Sequence, residues 1–314
     1  MTRAFVIVGP TATGKSELAA DVAREVGAEI VSGDAFQVYR GLDLLTAKPE
    51  ASTLAKAPHH LVGTVPLSET MNAERYRRAA ACAIAEINSR GKLAIVVGGS
   101  GLYIKALTHG LAPLPESDPR LRERLNAMSL DELRSRLVEL DPETARKVEV
   151  RNRRRVIRAV EICLLAGKPA SKVVAGVGDS GQPGSTIPVN GVFVFRDRDE
   201  LYERINGRVK AMFEAGVIDE VCAAGITSAT ASQMIGLREI RELLEGTKSL
   251  MQCVAEVQQA TRRYAKRQLT WFRRQTNFLP LDLSLLSHNE AVKWILLRIH
   301  SELRRDSEVR TTDD

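Results

Sequence analysis

The sequence is poor in aromatic residues and cysteine, and it contains no long apolar run. Aromatic residues make up 4% of the chain, and the four cysteines stand singly at positions 82, 163, 222 and 253. Without close-spaced cysteine pairs, zinc fingers and disulfide scaffolds are not expected, and this cysteine usage is typical of the reducing cytoplasm. No run of 18 apolar residues is present, so we expect no membrane association. A strand-like run and a glycine loop begin within the first ten residues, which argues against a signal peptide.

The overall composition is that of an ordinary globular protein. The chain has 314 residues, of which 44% are hydrophobic and 27% are charged, and this excludes disordered and collagen-like classes. The length predicts about two domains. The net charge of +6 is small, but the basic residues are unevenly placed.

Short apolar runs alternate with helical patterns in the first hundred residues. The runs at 4–8, 29–32 and 93–97 predict buried strands, and the periodicity of 16–26 and 72–88 predicts helices. Strands that alternate with helices imply crossover connections between parallel strands. The sequence therefore predicts an α/β fold with a doubly wound, P-loop NTPase-like parallel sheet core.

The pattern changes near Pro113. From there to about residue 168 we find only helical patterns, clearest at 131–140 and 151–165, followed by a stretch rich in glycine, serine and proline at 174–191. A strand is predicted at 192–195, and helices at 199–215, 231–245 and 250–274. The predicted organisation is a catalytic core of 1–112 plus 192–303, a helical insertion domain of 113–191, and a polar tail of 304–314.

A phosphate-binding loop lies between the first strand and the first helix. Residues 9–16 (GPTATGKS) match the ATP-binding motif G-x-x-x-x-G-K-[ST] in full. Its backbone N–H groups and the helix N-terminus would meet a phosphate, Lys15 would bridge phosphate oxygens, and the Ser16 hydroxyl would hold Mg²⁺. The motif predicts a di- or triphosphate without specifying which. The strand at 93–97 ends in Gly-Gly-Ser with no carboxylate, which weakens an ATPase interpretation but leaves a kinase open.

Asp34 directly follows the second predicted strand. This position is at the carboxyl edge of the sheet, where open α/β sheets bind their ligands. A carboxylate there could hold Mg²⁺ or remove a proton from an acceptor. An aspartate that only caps a turn remains the alternative.

Two segments are dense in basic residues. Residues 146–158 contain seven basic residues and one acid, and residues 261–274 contain six and none. Helical spacing predicts that Arg262, Lys266 and Arg273 line one stripe, with Tyr264, Gln268 and Trp271 on another. Such clusters favour a polyanion such as RNA over a merely solvated face. His59-His60 has no further ligand at suitable spacing and is interpreted as structural.

These segments together resemble the tRNA dimethylallyltransferase (isopentenyl-tRNA transferase) family. The resemblance runs from Gly9 to about Arg274, and the ordered set of motifs is far more specific than the phosphate loop alone. The segments that carry it are GPTATGKS (9–16), DAFQVYRGLD (34–43), TAKP (46–49), HHL (59–61), GGSGLY (98–103), NRRRVIRAVE (152–161), LYERINGRV (201–209) and KRQLTWFR (266–273).

The resemblance implies transfer of a dimethylallyl group from dimethylallyl diphosphate to N6 of adenosine 37, in tRNAs that read codons starting with U. Asp34 matches the general base, and Ser100 a hydroxyl that orients Asp34 or the substrate; with Lys15 they form the predicted catalytic set. The cofactor is Mg²⁺ at Ser16, and the partner is the anticodon stem-loop of tRNA bound to a monomer. The predicted diphosphate-binding residues are Gly9, Thr11, Ala12, Thr13, Gly14, Lys15, Ser16 and Arg208, and Arg204 also matches an arginine near the diphosphate side.

The resemblance also implies a set of tRNA-binding residues. Gln37 would contact the extruded base, and a helical insertion would clamp the stem-loop. The full set is Asp34, Ala35, Phe36, Gln37, Ser100, Arg122, Arg154, Arg155, Arg158, Arg238, Lys266, Arg267 and Arg273. The sequence departs from the family pattern at Ala35, where serine is common, at Ser100, which replaces threonine, and at the segment that begins with Gln233.

Two other functions stay open on the residues alone. A P-loop kinase of a small metabolite would explain residues 9–16 equally well but not the basic clusters. An RNA-binding P-loop protein without catalysis would explain the basic helices but leaves Asp34 and Ser100 without a use.

Overall fold

The computed structural model divides the chain into two compact units, and it describes residues 4–111, 114–149, 151–175 and 189–311. The first unit comprises residues 1–108 and 187–314, and the second comprises residues 109–186. The predicted boundaries at 112 and 192 thus differ from these by four to five residues.

The first unit is built on a parallel sheet. Its strands are β1 (Ala4–Val8), β2 (Glu29–Ser32), β3 (His59–His60), β4 (Ala94–Gly98), β5 (Val189–Phe195) and β6 (Leu279–Asp282), in the order β3-β2-β4-β1-β5-β6. All five pairings are parallel. The central strands are apolar along their whole length, as strands covered on both faces must be. This confirms the predicted α/β class and brings the ends of β1, β2 and β4 to one edge.

The helices follow in chain order: α1 (Lys15–Val26), α2 (Ala51–Leu54), α3 (Ala73–Ser89), α4 (Gly101–His109), α5 (Pro119–Ala127), α6 (Leu130–Leu140), α7 (Pro142–Lys147), α8 (Arg153–Ala166), α9 (Ala170–Ala175), α10 (Arg198–Glu214), α11 (Val217–Ala223), α12 (Leu237–Leu244), α13 (Leu250–Phe272) and α14 (His288–Thr311). Over the residues that the structure covers, none of them is both long and apolar enough to cross a membrane.

One core cluster of the first unit lies between the sheet, α1 and α14. Leu18 and Val22 of α1 pack with Phe5 and Ile7 of β1 and with Ile295 of α14, and all five are at most 2% exposed. This cluster fixes the start of α1 beneath the loop that precedes it, which is the phosphate loop.

The second unit has its own helical core. Leu121, Leu133, Leu137, Val156 and Val160, from α5, α6 and α8, are buried together. Its helices begin at side-chain caps, because the side chains at positions 118, 129, 141 and 152 each accept a hydrogen bond from a backbone N–H of the first turn. Local sequence therefore determines where these helices start.

Two predicted elements have different bounds in the structure. Strand β5 begins at Val189 instead of residue 192, because Gly191 pairs with Val6, where a Cβ would lie 2.3 Å from the Val6 carbonyl oxygen. The helix predicted at 231–245 was wrong as one element. A 3₁₀ turn (Ala231–Gln233) precedes α12, and Gly236 between them has φ +94°, which breaks a helix. Most of the predicted loose stretch, 176–188, lies outside the described residues.

The sequence interpretation missed β6 and α14. Pro280 made a strand at this position hard to predict, because proline is tolerated mainly in edge strands. In the structure, β6 is at the edge of the sheet. Helix α14 reaches Thr311, so most of the predicted polar tail of 304–314 is helical.

The carboxylate of Glu29, at the start of β2, gives His60 a structural hydrogen-bond partner. Glu29 is 4% exposed and accepts hydrogen bonds from His60 at 2.8 Å, Arg90 at 2.7 Å and Lys92 at 3.0 Å. His59 bonds the Ala57 carbonyl oxygen, and within the described chain no group of three potential ligands could hold a metal. Both histidines thus have protein partners, as the structural interpretation of the pair expects.

We expect the free energy of unfolding to fall in acid as the Glu29 carboxylate becomes protonated. Burial alone would raise the pKa of Glu29, but its three hydrogen bonds outweigh burial and lower that pKa to about 2. Its contribution is complete above the ordinary value of 4.5 and is lost as pH falls towards 2. Glu29→Gln should lower the free energy of unfolding at pH 7 by about 3 kcal/mol and flatten this acid dependence in urea titrations. Glu86→Gln, which removes an exposed partner of Arg90, is the control, and an equal loss in both variants would contradict the assignment.

Candidate active site

The phosphate loop has the backbone geometry of an anion cradle. Gly14 has φ +92° and Ala12 has φ +65°, and the Thr13 hydroxyl donates to the Pro10 carbonyl oxygen at 3.0 Å. At Gly9, a Cβ would lie 2.2 Å from the Val194 carbonyl oxygen, so only glycine allows the loop to leave β1 beside β5. The N–H groups of the first turn of α1 lack a side-chain cap. They are therefore free to meet a ligand anion.

Three arginines lie against this loop. Arg196 donates from Nε to the Thr13 carbonyl oxygen at 2.9 Å, and Arg204 donates from Nε to that of Ala12 at 2.8 Å. Arg208, one helical turn after Arg204, donates from Nη2 to the Thr11 hydroxyl at 2.8 Å. These contacts place the predicted Arg204 and Arg208 at the phosphate loop. They also add Arg196, which sequence reasoning missed.

Lys15 and Arg208 are cations with little solvent around them. Burial lowers the pKa of Lys15 to about 8, a fall that the charge of Asp34 opposes and that of Arg208 reinforces. Burial also lowers the pKa of Arg208, and its buried Nε has no partner among the described residues. Neither forms a salt bridge within the described part of the chain. Two desolvated cations without a salt bridge are a site that an anionic ligand would complete.

Asp34 follows β2 at the carboxyl edge of the sheet, as predicted. Its Oδ1 accepts the N–H groups of Phe36 at 2.9 Å and Gln37 at 3.3 Å, so this oxygen caps the turn. Its Oδ2 accepts no hydrogen bond from the described residues. Asp34 can therefore serve both roles considered for it in the sequence. Its Oδ1 caps the turn, and its Oδ2 could contact a ligand.

Ser100 acts on the backbone beside Asp34. Its hydroxyl accepts the Ala35 N–H at 2.9 Å, so any influence on the carboxylate passes through that backbone. The Gln37 side chain donates to the Ala47 carbonyl oxygen at 2.9 Å, and Ala47 has φ +49°. Asp34, Ala35, Phe36 and Gln37 are all half-buried in one continuous turn.

Gln268 is a second residue that sequence reasoning did not find. It is 5% exposed, accepts the Thr11 N–H at 2.9 Å, and donates to the Gly99 carbonyl oxygen at 2.8 Å. The Thr11 N–H is therefore already used and is not a diphosphate donor in this geometry. Its place inside the KRQLTWFR segment was the available signal. Trp271 is half-buried: it packs on Gly101, where a Cβ would lie 2.6 Å from the ring, and edge-on against Phe272.

The surroundings of Ser16 fit a magnesium ion that is held mainly by its substrate. A small cleft is lined by Ser16, Ser32 and Gln37, which offer neutral oxygen ligands and no carboxylate. Mg²⁺ is commonly bound by few protein oxygens together with water and substrate phosphates. A larger cavity of about 260 Å³ opens on the other side of the loop, beside Thr13, Gly14, Arg196 and Arg204.

The basic residues of α13 do not all share one environment. Lys266, Arg267 and Arg273 are exposed, as their predicted role requires. Arg262 donates to the Asn206 side chain and lies near the Tyr202 ring, so it is not part of the same free stripe. Arg238 is 72% exposed in its side chain and is paired with Glu239 at 2.7 Å.

The predicted tRNA-binding residues of the second unit fall into two groups. Arg122 and Arg158 pair with the fully buried Glu161, at 2.6 Å and 2.7 Å. Arg154 and Arg155 are exposed, and Arg155 lies 3.7 Å from Glu149. The first pair therefore has a structural task within its own unit, whereas the second pair is exposed on the surface of that unit.

Fold and site together define a P-loop α/β protein with a cationic phosphate site beside a free carboxylate oxygen. Comparison with known proteins identifies the group within this class. A family model described as IPP transferase matches residues 37–275. The chain is 43% identical over 284 residues to tRNA dimethylallyltransferase 1 of Citrifermentans bemidjiense, covering 89% of this chain and 92% of that protein. It is 44% identical over 271 residues to tRNA dimethylallyltransferase of Akkermansia muciniphila, covering 86% and 90%.

Solved structures agree. The full-length tRNA isopentenylpyrophosphate transferase of Bacillus halodurans matches with a TM-score of 0.73 and 34% identity over 99% of this chain and 100% of its own. A eukaryotic dimethylallyltransferase acting on tRNA matches with a TM-score of 0.72 and 26% identity over 90% and 74%. The chain belongs to the IPP transferase family, and the resemblance found in the sequence is confirmed.

Proposed function

We propose that the protein transfers the dimethylallyl group of dimethylallyl diphosphate to N6 of adenosine 37, in tRNAs that read codons starting with U. The observation that carries this proposal is that Asp34, whose Oδ2 accepts no hydrogen bond from the described residues, lies at the same edge of the parallel sheet as the phosphate loop, with which Lys15 and Arg208 are associated. The charge of Asp34 also acts on the pKa of both cations. A base and an anion site in one place suit an alkyl transfer in which a diphosphate departs and a proton must be removed.

The transfer forms the N6–C1 bond and breaks the C1–O bond, and a proton moves from N6 to the Asp34 carboxylate. The N6 lone pair attacks C1 of the dimethylallyl group as the C1–O bond breaks, and the electron pair leaves with the diphosphate. Lys15, Arg208 and the N–H groups at the start of α1 stabilise that negative charge. Asp34 takes the proton that N6 loses, and the product is N6-isopentenyladenosine.

Mg²⁺ would be held at Ser16 together with diphosphate oxygens. When bound, it supplies further neutralisation of the leaving group. The neutral hydroxyls of Ser16 and Ser32 suit this role, because the substrate itself brings the charge.

The RNA partner would be the anticodon stem-loop, bound by a monomer. Its phosphates would be met by the exposed cations Lys266 and Arg267 of α13, Arg273 directly after α13, and Arg154 and Arg155 of α8. The target adenine would be extruded towards Asp34 and Gln37, at a cost of a few kcal/mol. Arg122 and Arg158 would contribute mainly by holding Glu161, which is a revision of their predicted contact role.

A direct assay tests the reaction. The protein is incubated with Mg²⁺, dimethylallyl diphosphate and unmodified tRNA that carries A37, and the digested nucleosides are analysed by mass spectrometry. N6-isopentenyladenosine that depends on Asp34 would support the proposal. No product from folded protein and competent tRNA would contradict it and would lead to a screen of small acceptors with ATP, as the kinase alternative requires.

The exposed cations of α13 predict a salt-dependent tRNA affinity. Removing the charges of Lys266 and Arg267 by substitution with glutamine should weaken tRNA binding and lower the slope of log K against log salt by about 1 for each phosphate that is no longer neutralised. Binding would be measured from about 50 to 200 mM salt. Lys293→Gln, an exposed charge on α14, is the matched control. An unchanged slope in the α13 variant would contradict the placement of the RNA surface.

A further inference from the structure

Helix α13 touches both halves of the site. On its inner side, Gln268 accepts the N–H of Thr11 in the phosphate loop and donates to the carbonyl oxygen of Gly99 after β4. A single amide thereby uses its acceptor and one of its donors on two separate backbone segments. Because Gln268 is 5% exposed, water cannot readily replace either partner.

The backbone at Gly99 is shaped for this contact. A Cβ at position 99 would lie 2.3 Å from Nε2 of Gln268 and 2.9 Å from the Gly9 carbonyl oxygen. Only glycine therefore lets the end of β4 approach both the phosphate loop and α13. Close packing therefore requires glycine at the end of β4, where the sequence has no carboxylate.

Ser100, the residue after Gly99, extends the contact to the other half of the site. Its backbone N–H donates to the Gly33 carbonyl oxygen at 3.4 Å, and its hydroxyl accepts the Ala35 N–H next to Asp34 at 2.9 Å. A continuous set of contacts thus runs from Thr11 through Gln268 to Gly99, and from the adjacent Ser100 to Ala35.

We propose that Gln268 is a positioning residue that fixes the separation between the diphosphate site and Asp34. The proposal rests on the proposed function, because that reaction needs the leaving group and the base held on either side of one reacting carbon and its nucleophile. Displacements of about 1 Å are enough to slow such a reaction about 10²-fold. The Gln268 side chain acts through the two backbone segments that it holds.

Gln268→Met keeps the approximate size and removes both hydrogen bonds. We expect the KM for dimethylallyl diphosphate and the Kd for inorganic pyrophosphate to rise about fivefold or more, because the Thr11 N–H loses its partner. The tRNA Kd should stay within about twofold, since the exposed face of α13 is unchanged. The matched control is Gln258→Met on the same helix, which removes a hydrogen bond to the Asn206 carbonyl oxygen. Equal pyrophosphate affinity in the two variants would overturn the proposal.

Gln268→Glu is a second variant for the case that Gln268→Met is unstable. It keeps an oxygen that can accept the Thr11 N–H but loses the donor to the Gly99 carbonyl oxygen, so it should lower kcat about fivefold. An unchanged kcat, or a loss confined to the melting temperature, would overturn the proposal. If the wild-type protein makes no prenylated tRNA, the proposed function fails. In that case, the difference in pyrophosphate Kd between Gln268→Met and Gln258→Met still tests whether Gln268 positions the phosphate loop.

Discussion

Asp34→Asn is expected to lower the rate of isopentenyladenosine formation by about 10²–10⁴-fold, because an amide cannot take the proton from N6. The substitution leaves the turn intact. The asparagine Oδ1 can still accept the N–H groups of Phe36 and Gln37, as the aspartate does at 2.9 and 3.3 Å. Single-turnover rates with saturating substrates would measure the chemical step.

Measuring the tRNA Kd of Asp34→Asn beside its prenylation rate distinguishes a catalytic role of Asp34 from a role in RNA binding alone. The tRNA Kd of Asp34→Asn should remain within about threefold, since one charge is removed among many phosphate contacts. Asp43→Asn is the control, because Asp43 lies in the same segment and its exposed carboxylate pairs with Lys48. Retained prenylation in Asp34→Asn, or a loss of tRNA affinity that matches the loss of rate, would refute the assignment of Asp34 as the base.

The parts of the site predicted from sequence are those that local sequence determines. The phosphate loop needs glycine and lysine at fixed spacing after a strand, and Asp34 follows β2 directly, so both were located from a few adjacent residues. The strands β1, β2 and β4 were found within a residue of their observed bounds, because fully buried parallel strands are continuously apolar.

The contacts that hold the site together were not predictable in the same way. Gln268 is 257 residues from Thr11, and helical spacing separated it from the basic stripe without showing which backbone groups it would reach. Likewise, Arg122 lies 39 residues from Glu161, so a pattern of basic residues could not distinguish an arginine that holds a buried carboxylate from one that meets RNA. Such pairings depend on tertiary packing, and only the structure shows them.

Lys15 predicts a pH dependence of substrate binding. Burial lowers its pKa to about 8, so the ammonium group loses its proton above that pH in the free protein. A bound diphosphate favours the charged form, and binding must therefore take up a proton at high pH. The KM for dimethylallyl diphosphate should rise above about pH 8, by up to tenfold per pH unit.

Substitutions at Lys15 test whether this lysine carries the effect. Lys15→Met removes the charge and should lower kcat/KM by about 10²–10³-fold, with a KM that no longer rises above pH 8. Lys15→Arg keeps a charge that does not titrate, so its KM should also stay flat while its activity lies between the other two, since the planar guanidinium cannot replace the point charge of the ammonium group. Both variants would be compared with the wild type from about pH 7 to pH 9.5. A wild-type KM that is constant over this range would contradict a titration of Lys15 near pH 8.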